Sequence, residues 1–446
     1  MSVAIARATP RFAEKREAIL DGAARLFNRR GIRAGTLAEV AAQVGLATNS
    51  LTYYYRRKDD LARACLMRAI GVVDAVVAEA DGEPDFAGRV RAFVTRFIDV
   101  QAAIADGRQP ELIFFSDMHA LPLPQAERVF AAYTDMFRGV RRLLRDGPSG
   151  ERIALNARAH LLLSLAMWSR AWLTRYEPSD YRRAAACLAD ILLRGLATAG
   201  QPWLADGAVA APDAPPADPL REAYLRTATR LVNAQGIGGA SVERIAATLA
   251  LTKGSFYHHH DTKQALIADC FERTFGLIRA AQLAALAQGG SGWRRLLHAT
   301  LPLLRLQLSE RGPLLRVTTW SALPDAGRWQ AFTTMNRLGE RFAGIIVDGM
   351  GDGSIRVLDP SIAAQQINGL VNALAEIERW VPGVDADNVA GLFARPLLLG
   401  LLQPPESGAD GGQDSVADSP STISSPGRPA AASPPAPRRG TRRPAR

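Results

Sequence analysis

At 446 residues, 48% of them apolar, the chain exceeds one ordinary hydrophobic core and is expected to fold as two or more domains. A net charge of +10 favours a polyanionic partner such as nucleic acid, with an inert basic surface as the bland alternative. Three widely spaced cysteines (Cys65, Cys187, Cys270) argue against a disulfide framework or zinc motif, the N-terminus lacks a signal peptide's apolar core, and no apolar run is long enough to cross a membrane, so a soluble cytoplasmic, nucleoid-associated protein is expected.

Low aromatic content, 7%, beside abundant Ala, Leu and Arg predicts an all-α chain. Arg7, Arg11, Lys15 and Arg16 form a basic arm running into a first helix, whose buried face is Ile19, Ala23, Leu26 and Phe27 and which Gly31 ends. Thr36 caps a short helix carrying Leu37, Val40 and Ala41, and Gly45 breaks it. A second short helix follows over about 47–53, then a longer one from about Lys58. Residues 85–197 read as several further helices, the last two near 155–176 and 180–197. The loops DGPSGE (146–151) and GMGDGS (349–354) occupy equivalent places with no strand before them, so they read as interhelical turns rather than nucleotide-binding loops.

Residues 16–61 align without a gap onto 221–266, with Leu26/Leu231, Gly31/Gly236, Ala41/Ala246, Ser50/Ser255 and Lys58/Lys263 identical. Cys65 and Cys270 also coincide, as small core residues rather than reactive thiols would. Weaker echoes run to the end of each half: Ala120-Leu121-Pro122 with Ala322-Leu323-Pro324, Arg175-Tyr176-Glu177-Pro178 with Arg379-Trp380-Val381-Pro382, and LLRGL (192–196) with LLLGL (397–401). The chain is therefore expected to hold two full-length copies of one module: 11–80 and 81–200, a Pro/Ala/Asp-rich linker over 201–218, then 219–285 and 286–402. In copy two Ser241 caps the helix bearing Ile245 and Ala246, Thr252 caps the next, and a longer helix begins near Thr262. The Pro/Ser/Gly-rich tail, 403–446, cannot bury enough apolar surface to offset its ordering entropy and is expected to be disordered.

Two short helices joined by a tight turn, with an alanine at the buried crossing and small polar residues opening the second, have the form of a helix-turn-helix. A helix fits the major groove, and short side chains at its N-terminal end let the backbone approach base edges and phosphates. With its glycine-ended first helix, Thr36-Leu37-Ala38-Glu39-Val40-Ala41, Ser241-Val242-Glu243-Arg244-Ile245-Ala246 and LTKGSFYHHHDTKQAL (251–266), the chain resembles the tetracycline-repressor (TetR/AcrR) family of bacterial transcriptional regulators. A helical pair packed only for structure is the competing reading.

The resemblance implies two DNA-contacting sets. In copy one these are Thr36, Thr48, Asn49, Ser50, Thr52, Tyr53 and Lys58; in copy two, Ser241, Lys253, Gly254, Ser255, Tyr257, His258 and Lys263. Tyr257, His258 and Lys263 fall to phosphates, and Lys253, Thr48 and Asn49 to base edges. His260 takes the place of a packing aromatic, matched by Tyr55. The run His258, His259 and His260 is not expected to bind metal, because adjacent helical residues point about 100° apart and cannot converge on one ion. Copy one departs from the family pattern, reading ATNSLTYYYRRK (47–58) against TKGSFYHHHDTK (252–263), with Thr52 where the phosphate-binding tyrosine is expected.

The rest of each copy is implied to be a bundle holding a small-molecule pocket and pairing through its last two helices. Candidate pocket residues are Phe114, Met118, His119, Tyr133, Met136, Trp168 and Trp172, with Trp320, Trp329, Met335 and Arg341 in copy two; plain core packing competes for each. His119, His160 and His298 are isolated, and neither a catalytic constellation nor a cofactor or metal motif stands out, so a non-enzymatic protein is expected. The function implied is a repressor of double-stranded operator DNA released by an unknown small molecule, working as an intramolecular pseudo-dimer or as a homodimer. The alternative is a small-molecule-binding or protein-interaction module in which one or both helix-turn-helices no longer bind DNA.

Overall fold

The computed structural model describes residues 10–404 except 149, 204–217, 237–240, 250–261, 318 and 320–322. Copy one comprises α1 (Pro10–Ala34), α2 (Leu37–Gln43), α3 (Thr48–Tyr54), α4 (Lys58–Asp81), α5 (Phe86–Ala105), a 3-10 turn (Phe115–Ala120), α6 (Leu123–Leu143), α7 (Arg152–Trp172) and α8 (Tyr181–Arg194). Copy two comprises α9 (Pro219–Gln235), α10 (Val242–Thr248), α11 (Lys263–Gln288), α12 (Gly292–Gln307), α13 (Asp325–Gly351) and α14 (Pro360–Ala373). It closes with the short helices α15 (Ile377–Trp380) and α16 (Arg395–Leu398), the latter after a π-helical turn (Ala390–Ala394). The described residues form no strand, only one isolated bridge between Ala197 and Ile355. None of their helices is long and apolar enough to cross a membrane. The second short helix expected in copy two, with Lys253, Gly254, Ser255, Tyr257, His258 and the rest of the histidine run, lies outside the described residues, as do Trp320 and the tail beyond 404.

Local chemistry explains the helix starts. The Thr36 hydroxyl accepts from the Glu39 amide (3.2 Å) while the Glu39 carboxylate accepts from the Thr36 amide (3.0 Å), closing a capping box that fixes the start of α2. Ser241, Thr262, Ser291 and Asp359 cap α10, α11, α12 and α14 through their side chains. Gly31 breaks α1 with a φ of 77°, and the Lys58 ammonium donates to the Arg33 carbonyl just beyond the break (2.7 Å). The loop at 349–354 starts later than its glycines suggest, because α13 continues through Gly351. Packing decides this: a Cβ on Gly292, at the start of α12, would lie 2.3 Å from the Gly349 Cα, so the glycines permit a close helix crossing instead of a turn. Asp352 and Ser354 then accept from the Gly292 and Trp293 amides (2.6 and 3.0 Å).

The duplication recurs in the interior contacts. Cys65 and Cys270 are fully buried, their thiols facing the Leu20 and Leu225 carbonyls (3.7 and 3.6 Å), and burial pushes both up to about 12. Arg68 pairs with Glu17 (3.1 Å) as Arg273 pairs with Glu222 (2.7 Å). Asn28 donates to the Leu112 carbonyl and accepts from the Phe114 amide (both 2.8 Å); Asn233 does the same with Leu314 and Arg316 (2.8 and 3.0 Å). Each asparagine thus fastens the first helix of its copy to the loop that roofs the bundle.

The two bundles meet through α7 and α8 of copy one and α14, the π-helical turn and α16 of copy two. At the centre the repeated LLRGL and LLLGL segments exchange backbone hydrogen bonds: the Leu196 amide donates to Leu398 (2.8 Å) and the Leu401 amide to Leu192 (2.8 Å). Buried Arg158 donates to the Leu401 and Gln403 carbonyls (2.8 and 2.7 Å). Arg356 pairs with Asp190 (2.6 Å), and Trp380 packs on Tyr133 and Phe137, with centroids 4.7 and 5.2 Å away. One interface within the chain thus joins the two copies.

Candidate nucleic-acid interface

In copy one α2 lays Val40 and Ala41 against α1, Gly45 turns the chain with a φ of 66°, and Leu51 anchors α3 in the core. A Cβ on Gly22 would stand 2.4 Å from Val44, so this glycine lets α1 approach the turn closely. Thr48, Asn49 and Ser50 are exposed on the first turn of α3, and Thr52 and Tyr53 follow one turn later. Thr52 donates to the Asn49 carbonyl (2.8 Å). Tyr53 is 78% exposed and touches Phe12, which also stacks on Tyr54 (4.8 Å), pinning the start of α1 to the end of α3. Arg11, Lys15, Arg16 and Arg56, near Phe12 and Tyr54 in sequence, are exposed as well. Tyr55 is buried, as a packing aromatic should be.

Beside Thr52 and Tyr53, three more of the expected contact residues have intramolecular engagements. Thr36 and Ser241 spend their hydroxyls on capping, and Lys58 holds the Arg33 carbonyl, a use invisible to the alignment because it depends on where the break at Gly31 directs the chain. Lys263 lines a cleft of about 880 Å³ formed by the ends of α1 and α9 and the starts of α11 and α13, together with Arg29, Arg33 and Arg328. Burial and the neighbouring Arg33 hold its ammonium below the usual lysine range.

The bundle candidates divide. Phe114, Tyr133 and Trp168 line a cavity of about 390 Å³ that also includes Asn28, His160 and Arg170 from copy one and Arg316, Phe332, Gly369 and Asn372 from copy two. Met118, Met136 and Trp172 are buried core residues outside its lining. His119 stands against Phe130 and Arg379 at the mouth of the cleft instead. Trp329 is 71% exposed near the start of α13, outside this cavity. Arg341 donates to Gln282 (3.2 Å) away from the cavity. Met335 faces the copy-two counterpart, where the bundle leaves only about 20 Å³. Arg170 and Arg316 were missed by the sequence reading; the only signal was an arginine inside the apolar run LLLSLAMWSRAW.

Residues 19–65 and again 225–270 match the sequence model of the family described as bacterial regulatory proteins, tetR family. The chain carries the tetR-family domain twice. Each tetR-type domain begins in the first helix of its copy and ends in the helix that carries Cys65 or Cys270. The chain thus carries two tetR-type DNA-binding domains, and its described residues are helical with no strand. No curated protein matches it. Among solved structures, the TetR family transcriptional regulator PfmR from Thermus thermophilus is 23% identical with a TM-score of 0.35, covering 40% of this chain and 98% of its own. A TetR-family regulator from Bordetella parapertussis is 19% identical with a TM-score of 0.34, covering 39% and 93%. AibR, solved with isovaleryl coenzyme A and operator DNA, is 23% identical with a TM-score of 0.32, covering 39% and 97%.

Proposed function

We propose that the chain is a ligand-responsive transcriptional repressor whose two tetR-type domains address two unlike half-sites from a single chain. The observation supporting this is the seam: one continuous interface joins the copies, and the cavity of about 390 Å³ has walls from both. A molecule in that cavity contacts both halves, so it can favour one relative placement of the DNA-binding ends over another. Only such differential affinity shifts a two-state equilibrium. Phosphate contacts from Arg11, Lys15, Arg16 and Arg56 supply affinity, while Thr48 and Asn49 of copy one and Lys253 of copy two supply specificity.

Footprinting on upstream DNA, with light scattering of the complex, tests the reading. One chain per operator with two dissimilar half-sites about one helical turn apart is expected. Two chains on one operator would instead mean a homodimer with four helix-turn-helices. A second reading, loss of DNA binding by copy one, is favoured by the intramolecular uses of Lys58 and Tyr53. It predicts protection of a single half-site, centred on copy two.

A further inference from the structure

The cleft that holds Lys263 is built from both copies: the end of α1 and the 3-10 turn on one side, the end of α9 and the starts of α11 and α13 on the other. Its charge is not part of the duplication. In the alignment of 16–61 with 221–266, Arg29, Arg30 and Arg33 are answered by Ala234, Gln235 and Gly238, and in the register of Pro122 with Pro324, Arg328 is answered by Ala126. Five cations, Arg29, Arg30, Arg33, Lys263 and Arg328, thus line this cleft against a single carboxylate in its described lining, Asp325. Two of the five are neutralised, Arg30 by Glu39 and Arg328 by Asp325. Arg29 donates to the uncharged side chain of Gln43 (3.0 Å), and among the described residues no acid pairs with Arg29, Arg33 or Lys263. Burial, and after it the charge of Arg33, hold the Lys263 ammonium below the usual lysine range. Three positive charges from two copies are therefore gathered at one concave space, an arrangement that costs free energy unless an anion offsets it.

We propose that this cleft binds one small polyphosphate anion per chain, its phosphate oxygens held by Arg29, Arg33 and Lys263. A guanidinium matches phosphate oxygens with paired hydrogen bonds, and a lysine adds a compact charge. Three positive charges suit a di- or triphosphate better than a monocarboxylate. Lys263 also opens α11, whose amino end adds positive potential. A volume of about 880 Å³ falls within the range of small-molecule pockets, and Leu26, Leu323 and Pro324 give the cleft an apolar side for an organic group carried by the phosphates. The phosphates of a duplex stand on a convex surface, so a concave space of this size fits a compact anion better than a DNA backbone. Arg29 and Arg33 lie in one tetR-type domain and Lys263 in the other, so the anion ties the two domains together. The site is separate from the cavity of about 390 Å³, sharing only Ser116 with it, and goes beyond the ligand-responsive reading attached to that cavity.

The probes are inorganic pyrophosphate and ADP, with adenosine as the uncharged control, titrated calorimetrically into the full chain at an ionic strength of about 0.15 M. Pyrophosphate or ADP is expected to bind at one per chain, and adenosine not at all. Arg33→Gln and Lys263→Gln should each weaken the anion at least tenfold, while Arg91→Gln, at an exposed position on α5, leaves it unchanged; melting curves report whether the variants fold. A readout on the unaltered sequence uses the scarcity of lysine, which occurs only at Lys15, Lys58, Lys253 and Lys263. After isotope-labelled reductive methylation, pyrophosphate should move the Lys263 resonance and leave that of Lys15 in place. More than one pyrophosphate per chain, equal weakening by Arg91→Gln, an unmoved Lys263 resonance, or no binding of either anion would each overturn the proposal. So would displacement of bound pyrophosphate by a duplex of unrelated sequence whose own affinity falls at least tenfold in Arg33→Gln, which gives the cleft to the DNA backbone instead. The anion titrations use neither operator DNA nor an effector, so the repressor reading stands or falls separately.

Discussion

Replacing Gly195 with alanine tests the seam where it is tightest. Gly195 holds a φ of 70° and ψ of −163°, a region that side-chain-bearing residues enter at a cost of about 1–3 kcal/mol. An alanine Cβ there would also stand 2.4 Å from the Leu399 carbonyl carbon and 2.5 Å from the Leu398 oxygen, backbone atoms of the other copy that no rotamer change can move aside. Overpacking of this type adds about 1–3 kcal/mol, so Gly195→Ala should cost ~2–6 kcal/mol in all. Gly400→Ala, with a φ of 98° and a Cβ 2.5 Å from the Arg194 carbonyl carbon, should behave alike. Gly200→Ala is the control: its φ is also positive, 81°, but nothing lies within 4 Å, so only backbone strain is incurred. Urea unfolding ranks the three, and hydrogen exchange of the Leu196 and Leu401 amides, which bond across the seam, locates the loss. If Gly195→Ala were no worse than Gly200→Ala and those amides stayed protected, the two copies would not meet as described.

In native protein near neutral pH a maleimide should label Cys187 alone, since Cys65 and Cys270 are fully buried; mass spectrometry of the digested adduct checks this. The same burial raises both thiols from 9.0 to about 12, so the folded state favours the neutral form: their contribution is intact below about pH 9 and is lost as pH rises toward 12, seen as a falling melting temperature that Cys65→Ala with Cys270→Ala should blunt. Lys58→Met should lower stability by about 1 kcal/mol through the lost bond to Arg33 and leave the salt dependence of DNA binding unchanged; a salt slope reduced by about one would return Lys58 to a phosphate. Asn49→Ala and Lys253→Ala should each change which sequences are preferred, read by selection from a randomised operator, and a uniform loss on all sequences would contradict the base-reading role.

Much of this protein is legible in its sequence because the signals are local. Gly31, the Thr36–Glu39 box, Gly45 and the caps at Ser241 and Thr262 set helix ends through contacts within a few residues, and the repetition of these signals in 16–61 and 221–266 exposes the duplication. Coincident cysteines foretold burial for the same reason, since one helical face is buried alike in both copies. The glycines of LLRGL and LLLGL are visible as a repeat, yet their purpose arises only where residues some 200 apart bring backbone against backbone. Trp168 and Trp172 sit one turn apart on α7, but Trp168 reaches a cavity and Trp172 the core, because α14 crosses at Gly369, where a Cβ would lie 2.7 Å from the Trp168 ring. Trp329, apolar by composition, stays 71% exposed because none of the described residues covers its side of α13. Arg170 and Arg316 come from different copies and meet at one cavity only after the bundles pair. Helical periodicity records which face of a helix is buried; what that face is buried against, and where the packing leaves room, is set by long-range contacts that no local pattern encodes.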